Sequence, residues 1–317
     1  MKNKDFYHNC TLCPRKCGVS RDEGKTGICG VTDTLRLSRA ALHFWEEPCI
    51  SGTKGSGAVF FSGCSLHCVY CQNEPIARGI SGKNVEPQRL AEIFLELQEQ
   101  GANNINLVTG EQYVPHIFTA VESARRQGLR LPVVYNTGGY ERVETLKMLE
   151  GIVDVYLPDF KYMDPEIAAK YSHADDYPDV AKAAVAEMVR QQPSPCFDWE
   201  DKKREDKIPT EACEGAIMTR GVIVRHLLLP GCLKDAEKII RYLHETYGSQ
   251  IYLSIMSQFT PLSNVREYPK LNRRVRRKTY DRLVDYAIQI GVEAAFIQEE
   301  GTAEESFIPD FESCEGV

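Results

Sequence analysis

The fold is decided by residues 58–73, AVFFSGCSLHCVYCQN, in which a short apolar run leads directly into a loop with three cysteines. The run at 58–61 has the length and composition of a buried strand. Six similar runs follow it, at 105–108, 132–136, 153–160, 221–229, 251–256 and 294–298. Amphipathic stretches at 86–100, 233–247 and 272–290 have helical periodicity. This alternation predicts a parallel sheet with helical crossovers.

The number of strand–helix units predicts an incomplete barrel. A complete eight-fold barrel typically takes about 250 residues. Residues 51–300 supply six units and then a seventh strand. We therefore predict an α/β fold, a partial (β/α)6 TIM-like barrel with an N-terminal Cys-rich extension. In such folds the chemistry is found at the carboxyl ends of the strands.

Composition divides the chain into three parts. Residues 1–50 form the Cys-rich extension, residues 51–300 the barrel and residues 301–317 a short acidic C-terminal tail. Within the barrel, 191–216 is a polar insertion, because nine of the ten residues at 198–207 are charged. Such a segment predicts a solvated, disordered connection between a helix and a strand.

The charge balance excludes some classes of protein. The 317 residues include 38 Lys plus Arg and 45 Asp plus Glu, a formal net charge of −7. A nucleic-acid-binding protein generally carries a basic field, so we expect no nucleic-acid partner. No apolar run approaches the 18 residues of a membrane span, and the first residues lack the apolar core of a secretion signal. We therefore expect no membrane partner and a cytoplasmic location.

Cysteine is the unusual residue, since eight of the twelve cysteines lie in the first 71 residues. Cys64, Cys68 and Cys71 have the spacing C-x3-C-x2-C at the end of the first barrel strand. Three thiolates so placed can hold three corners of a cubane iron–sulfur cluster and leave one iron open. A zinc site that borrows His67 or a distant cysteine is the alternative, as are buried cysteines without a ligand.

A second group of cysteines lies in the extension. Cys10, Cys13, Cys17 and Cys29 have the spacing C-x2-C-x3-C-x11-C in a turn-rich segment. Four thiolates make a closed metal site plausible, of which structural zinc is the simplest form. A second iron–sulfur cluster and the absence of any metal are the alternatives.

The chain resembles the radical S-adenosylmethionine (SAM) superfamily, and within it the branch related to pyruvate formate-lyase activating enzymes. The resemblance rests on the cysteine loop and on four later motifs, at 109–111, 136–140, 159–161 and 224–231. The extension, with its Cys-Pro-Arg segment, resembles an uncharacterised subgroup of that branch. At 109–111 the sequence Thr-Gly-Glu departs from the Gly-Gly-Glu of many relatives.

The resemblance implies an activity. A [4Fe-4S] cluster on Cys64, Cys68 and Cys71 binds SAM, an electron cleaves the SAM carbon–sulfur bond, and the resulting 5′-deoxyadenosyl radical abstracts hydrogen from a substrate. The same resemblance implies that the cofactor-binding residues are Tyr70, Thr109, Gly110, Glu111, Asn136, Asp159, Lys161 and Arg225. Tyr70 is expected near the adenine, and residues 109–111 near the amino group. Asn136, Asp159 and Lys161 are expected near the ribose and carboxylate, and Arg225 near the bound SAM.

The positions of four of these residues indicate a shared site without any resemblance. Glu111, Asn136, Asp159 and Lys161 each follow an apolar strand run, so they are expected to converge at one end of the barrel. The alternative is that each is an ordinary polar residue of a surface loop.

The expected partners are a reduced electron donor of the flavodoxin or ferredoxin type and a substrate. The substrate is either a glycyl-radical enzyme, which the protein would activate, or a small molecule or peptide. A non-catalytic zinc-binding scaffold is the alternative function. The basic run at 273–278 is expected to be a solvated helix face, with docking of an acidic electron donor as the alternative.

Overall fold

The seven predicted strands are present, most of them with ends within two residues of the prediction. The computed structural model describes residues 6–201, 209, 211, 212, 214–298, 311 and 313–317. Its strands are β1 (Arg36–His43), β2 (Ser56–Phe61), β3 (Lys83–Asn84), β4 (Ile105–Val108), β5 (Val133–Thr137), β6 (Val155–Pro158), β7 (Cys196–Trp199), β8 (Ala216–Leu227), β9 (Tyr252–Met256) and β10 (Ala295–Ile297).

The helices follow the strands in the predicted rhythm. They are α1 (Pro48–Ser51), α2 (Glu74–Ala77), α3 (Pro87–Glu99), α4 (Val114–Arg126), α5 (Val143–Lys147), α6 (Pro165–Ser172), α7 (Tyr177–Gln191), α8 (Leu233–Tyr247) and α9 (Arg277–Gln289). The three predicted helices correspond to α3, α8 and α9. Only α9 begins clearly later than predicted, because its N-cap residue Arg276 is still extended, with φ −74° and ψ 135°.

The sheet is an open, mainly parallel one. Its order is β10-β9-β8-β6-β5-β4-β2-β1-β3, and β7 pairs with β8. The strands from β2 to β10 along this order are parallel to their neighbours, while β1, β3 and β7 pair antiparallel. The six strand–helix units and the seventh strand confirm the partial barrel.

Burial explains why these runs form central strands. Every residue of β2, β4, β5 and β6 is buried, as expected for parallel strands covered on both faces. Helix α3 begins with Pro87 at its first turn and buries Leu90, Ile93, Phe94 and Leu97 on one face.

The N-terminal region packs directly on the cysteine loop and contributes to the sheet. Strand β1, inside the predicted extension, pairs with β2. The backbone N–H of Cys64 donates to the carbonyl of Cys29 at 3.3 Å. Gly63 lies between them with φ +92°, and a Cβ there would come 2.7 Å from that same carbonyl. A glycine is therefore required where the two segments touch.

Part of the predicted disordered insertion is ordered. Cys196–Trp199 forms β7 rather than a solvated loop. Next to it, the Glu200 carboxylate accepts from the backbone N–H groups of Thr53 and Lys54, at 2.9 Å each. Charge alone is thus a poor guide here, because the polar side chains alternate with Phe197, which is buried. Residues 202–208, 210 and 213 of the insertion lie outside the described residues.

The predicted C-terminal tail is described only at its end, since residues 301–310 and 312 lie outside the described residues. The Ala40 N–H of β1 donates to the carbonyl of Glu315 at 2.8 Å, and Lys83 Nζ donates to Val317 O at 3.3 Å. The last residues therefore contact the edge formed by β1 and β3. Among the described residues, no helix combines the length and apolar character needed to cross a membrane.

Candidate functional site

A cavity of about 290 Å³ lies at the carboxyl ends of the parallel strands. Its wall combines the three loop cysteines with residues that follow β4, β5 and β6 and with β8. The predicted site residues that line it are Cys64, Cys68, Cys71, Tyr70, Thr109, Asn136, Asp159, Lys161 and Arg225. A larger cavity, of about 750 Å³, lies between the N-terminal segment, α4 and α5 and contains none of these residues.

The three cysteines are held by hydrogen bonds from outside the loop and within it. Ser172 Oγ, at the end of α6, donates to Cys68 Sγ at 2.9 Å. The N–H of Leu66 donates to Cys64 Sγ at 3.4 Å. Asn264 Nδ2 donates to the carbonyl of Cys71 at 3.0 Å. Donors to sulfur favour the thiolate form that metal binding needs.

The donor set suits an iron–sulfur cluster with one open iron. Burial raises the pKa of the Cys64 and Cys71 thiols, so both are protonated at neutral pH unless a metal replaces the proton. Among the described residues, no group of three or more Cys, His, Asp or Glu side chains is arranged to hold a single metal ion. Ligation of a cluster by this triad stays a prediction.

Opposite the thiols, the wall is charged. Arg225 Nε donates to Asp159 Oδ1 at 2.9 Å, and Lys161 Nζ donates to Asp159 Oδ2 at 2.5 Å. Burial favours a neutral Asp159, but Lys161 and then Arg225 outweigh it and lower the pKa of that carboxyl. Asp159 raises the pKa of both cations in return. All three groups are therefore charged at neutral pH.

Glu46 is a site residue that the sequence analysis missed. Its Oε2 accepts from Arg225 Nη1 at 3.1 Å, and its Oε1 accepts from Asn136 Nδ2 and from Asn106 Nδ2, each at 3.1 Å. Arg225 Nη2 completes the ring by donating to Asn136 Oδ1 at 2.6 Å. Glu46 lies between β1 and α1, in the part assigned to the extension, and no motif surrounds it.

Tyr70 and Thr109 form the remaining predicted wall. Tyr162 OH donates to Tyr70 OH at 2.8 Å and contacts Ser172 Oγ at 2.7 Å, which links the Tyr70 ring to the donor of Cys68. Thr109 has φ +58°, a conformation that residues other than glycine rarely adopt. Its N–H donates to the carbonyl of Asn136 at 2.8 Å. Backbone strain of this kind concentrates at functional sites.

Gly110 and Glu111 do not line the cavity. A Cβ at Gly110 would come 2.6 Å from Ile117 Cδ1, so this glycine is explained by packing against α4. Glu111 is 5% exposed; its Oε2 accepts from Ser65 Oγ at 2.8 Å, and its Oε1 has no partner among the described residues. The expected contact of Glu111 with the SAM amino group stays untested.

Glu111 belongs instead to a buried pair of acids behind the cavity. Burial and then the nearby Glu141 carboxyl raise the pKa of Glu111 well above its usual value. Burial raises the pKa of Glu141 to about 8, although Thr137 and Tyr135 donate hydroxyl hydrogen bonds to it. The two acids are therefore largely uncharged at neutral pH, in contrast to Asp159.

Two of the N-terminal cysteines, Cys10 and Cys29, lie near a buried arginine. Arg21 is 1% exposed, and its guanidinium donates to the carbonyls of Val31, Thr32 and Gln112 and to Cys10 Sγ, the last at 3.6 Å. Among the described residues no carboxylate is paired with it. Its positive charge is close enough to Cys29 to lower the pKa of that thiol, which burial raises.

Comparison with known proteins identifies relatives in sequence. A sequence profile of the radical SAM superfamily matches residues 58–194, which include the cysteine loop. An uncharacterized protein of Methanocaldococcus jannaschii is 27% identical over 292 residues, a region that covers 90% of this chain and 75% of that protein.

Three solved structures have limited similarity to this chain. A domain of pyruvate-formate lyase-activating enzyme from Bacteroides vulgatus has a TM-score of 0.40 and 13% identity, covering 62% of this chain and 100% of that one. Streptococcus suis SuiB bound to S-adenosylmethionine has a TM-score of 0.48 and 10% identity, and the match covers 75% of this chain and 49% of SuiB. The FeFe-hydrogenase maturase HydG from Carboxydothermus hydrogenoformans has a TM-score of 0.49 and 11% identity, and the match covers 78% of this chain and 55% of HydG. This chain thus spans about half the length of SuiB and HydG. Since all three TM-scores are below 0.5, these structures support no argument about this chain.

Proposed function

Because this chain belongs to the radical SAM superfamily, we propose that the cavity at the strand ends is where it binds and cleaves SAM. Cys64, Cys68 and Cys71 hold the [4Fe-4S] cluster, and the radical chemistry that follows removes hydrogen from a substrate. The observation that supports this proposal is that three thiols share one cavity with the charged wall of Asp159, Lys161 and Arg225.

Each wall of the cavity has a separate task in this proposal. When bound and reduced, the cluster supplies the electron that breaks the carbon–sulfur bond of SAM. Lys161 offers an ammonium group to the SAM carboxylate, and Asp159 offers an acceptor to the ribose hydroxyls. Both are held in the charged form by their ion pair. The Tyr70 ring, 8% exposed, supplies an apolar surface for the adenine.

The substrate is a separate question within the same proposal. Activation of a glycyl-radical enzyme and hydrogen abstraction from a small molecule or peptide both use this site. The protein needs a reductant in either case, and a flavodoxin- or ferredoxin-type donor has the required one-electron chemistry.

We also infer that the N-terminal quartet binds a metal, as zinc or as a second cluster, which would draw the four thiols together, since the described side chains are not already arranged around an ion. Arg21 supports this inference, because a buried guanidinium with no carboxylate partner needs negative charge from elsewhere. Cys10 and Cys29 supply that charge when they are thiolates, which is the form that coordinates metal.

Anaerobic reconstitution of the full chain tests the assignment of the cysteine triad. Cys68→Ala should lose iron and sulfide at the loop, lose the EPR change on adding SAM, and form no 5′-deoxyadenosine with dithionite as reductant. Cys232→Ala is the matched control, because this half-buried cysteine belongs to neither group and should leave all three readouts unchanged. Retention of SAM cleavage by Cys68→Ala would refute the proposed cluster site.

A further inference from the structure

A strongly basic surface lies beside the site in a chain that is acidic overall. Within residues 266–278 there are seven cations and one carboxylate, Glu267. The cations, here called the basic surface, are Arg266, Lys270, Arg273, Arg274, Arg276, Arg277 and Lys278, and all are exposed. Among the described residues only Arg277 of this set has an ion pair, with Asp281 at 2.6 Å. The other six are exposed and have no ion pair within the part of the chain that the structure describes.

The basic surface is not explained by helix stability. Arg276, Arg277 and Lys278 occupy the N-cap and the first turn of α9, where the helix dipole is positive and cations are unfavourable by about 0.3–1 kcal/mol each. This first turn has no acidic residue, and no side chain caps it. The charges therefore reduce the stability of α9, which indicates that they serve another purpose.

The segment that carries the basic surface also contacts the cluster loop. Asn264 Nδ2 donates to the Cys71 carbonyl at 3.0 Å, and Arg266 follows only two residues later. Two peptide units span at most about 7.6 Å between Cα atoms. The first residue of the basic surface, Arg266, is therefore two residues from Asn264, which is hydrogen-bonded to Cys71.

A second contact places the opposite side of the basic surface near Cys68. Lys170 of α6 is exposed and lies 5.5 Å from the Tyr171 ring, which packs edge-on against Tyr268 at 6.0 Å. Two residues beyond Lys170, Ser172 donates to Cys68 Sγ. Each of the two cysteines is thus contacted by a residue that lies two positions from an exposed cation, Lys170 or Arg266.

The basic surface has a recess that suits an acidic side chain. A cavity of about 200 Å³ is lined by Pro230, Gly231, Arg273, Arg274, Val275, Arg276 and Thr279. Guanidinium groups bind carboxylates in bidentate geometry, so three arginines in one recess favour a carboxylate-bearing partner.

We propose that the basic surface is the docking site for an acidic one-electron carrier protein, which reduces the cluster through the Cys68 and Cys71 side. This rests on the proposed function, since it requires a cluster on the triad. The reduced carrier loses one electron, and the oxidised cluster gains it. An acidic carrier is repelled by a chain of net charge −7 except at this surface, so the charges also orient it. RNA is the other kind of partner that a basic surface could bind, but RNA binding would not explain why this surface lies next to the cysteine loop.

The test compares two reductants of the reconstituted full chain. Arg273→Glu/Arg274→Glu reverses charge in the recess. The matched control, Arg126→Glu/Arg130→Glu, makes the same charge change just before β5, at the amino ends of the strands and so away from the cavity at their carboxyl ends. Stopped-flow spectroscopy measures cluster reduction by a reduced bacterial flavodoxin, and separately by dithionite, at low and high salt.

We expect the recess variant to lower the flavodoxin rate about ten-fold at low salt, with the difference fading at high salt. The dithionite rate and the iron content should match those of wild type, and the control variant should behave as wild type with both reductants. An unchanged flavodoxin rate in the recess variant overturns the docking proposal. Failure of wild type to bind iron or to cleave SAM with dithionite refutes the proposed function instead.

Discussion

Replacing Glu46 with glutamine tests whether this residue holds the charged wall of the site together. The substitution keeps the size of the side chain and leaves an amide oxygen that Asn106 and Asn136 can still reach. It removes the negative charge and turns an NH2 group toward Arg225 Nη1, which now lies 3.1 Å from Glu46 Oε2. Arg225 keeps its bonds to Asp159 and Asn136.

The magnitude follows from the burial of the pair. The side chains of Arg225 and Glu46 are 14% and 10% exposed, so solvent screens their interaction only weakly. A hydrogen bond to a charged group contributes about 1.5–3 kcal/mol, and removing one partner of a fully buried pair costs about 3–5 kcal/mol. Because Arg225 keeps its ion pair with Asp159, we expect a loss in the free energy of unfolding of about 2 kcal/mol, or a fall in Tm of roughly 3 °C for a chain of this length.

Thermal unfolding of the reconstituted protein, followed by circular dichroism at neutral pH, measures the effect. Glu144→Gln is the control, since the Glu144 side chain is 69% exposed in its pair with Arg142 and its loss should shift Tm by less than about 1 °C. Asp159→Asn and the variant with both substitutions complete a double-mutant cycle. The two changes in the free energy of unfolding should not add, because both carboxylates contact Arg225. A Glu46→Gln Tm equal to that of Glu144→Gln would refute the role of Glu46.

Three further predictions concern the rest of the site. Because folding raises the pKa of Glu141 from 4.5 to about 8, the stability it contributes is full below pH 4.5 and is lost as the pH rises toward 8. Glu141→Gln should therefore gain Tm relative to wild type between pH 5 and pH 8, and parallel pH profiles would contradict this. Lys161→Ala should weaken SAM binding in equilibrium titrations by roughly ten- to a hundred-fold with iron content unchanged; wild-type affinity would remove Lys161 from the site. Cys13→Ser should lose metal and Tm while retaining the cluster of the Cys64 loop, and unchanged metal analysis would count against the N-terminal site.

Sequence patterns were sufficient for the central sheet because parallel strands buried on both faces are continuous apolar runs. β4 was predicted to the residue, and the amphipathic period of 233–247 gave α8 without error. The antiparallel strands β1, β3 and β7 were not predicted, because their side chains alternate between buried and exposed positions or are too few to form a pattern. β1 carries Arg36 and Arg39, which resemble loop residues in a linear sequence.

For the site, the sequence could predict which residues follow strands but not which way the chain turns after them. Asp159 and Lys161 follow β6 directly, and both line the cavity as the alternation of a strand requires. Glu111 comes three residues after β4, and the left-handed turn at Thr109 directs the chain away from the cavity before Glu111 is reached. Glu46 approaches from a distant segment, which only tertiary structure could show.

The two groups of buried acids show how the fold separates charge around the site. Asp159 and Glu46 are paired with Lys161 and Arg225, so the cavity wall carries fixed charges of both signs. Glu111 and Glu141, one layer behind, have no cation paired with them among the described residues, and burial holds them near neutrality. SAM has an ammonium, a carboxylate and a sulfonium group, so a wall of ordered opposite charges can orient it, whereas neutral acids cannot attract its cations over a distance. On this reasoning, SAM affinity should depend on Asp159 and Lys161 much more than on Glu111, although sequence motifs alone assigned all three to the cofactor.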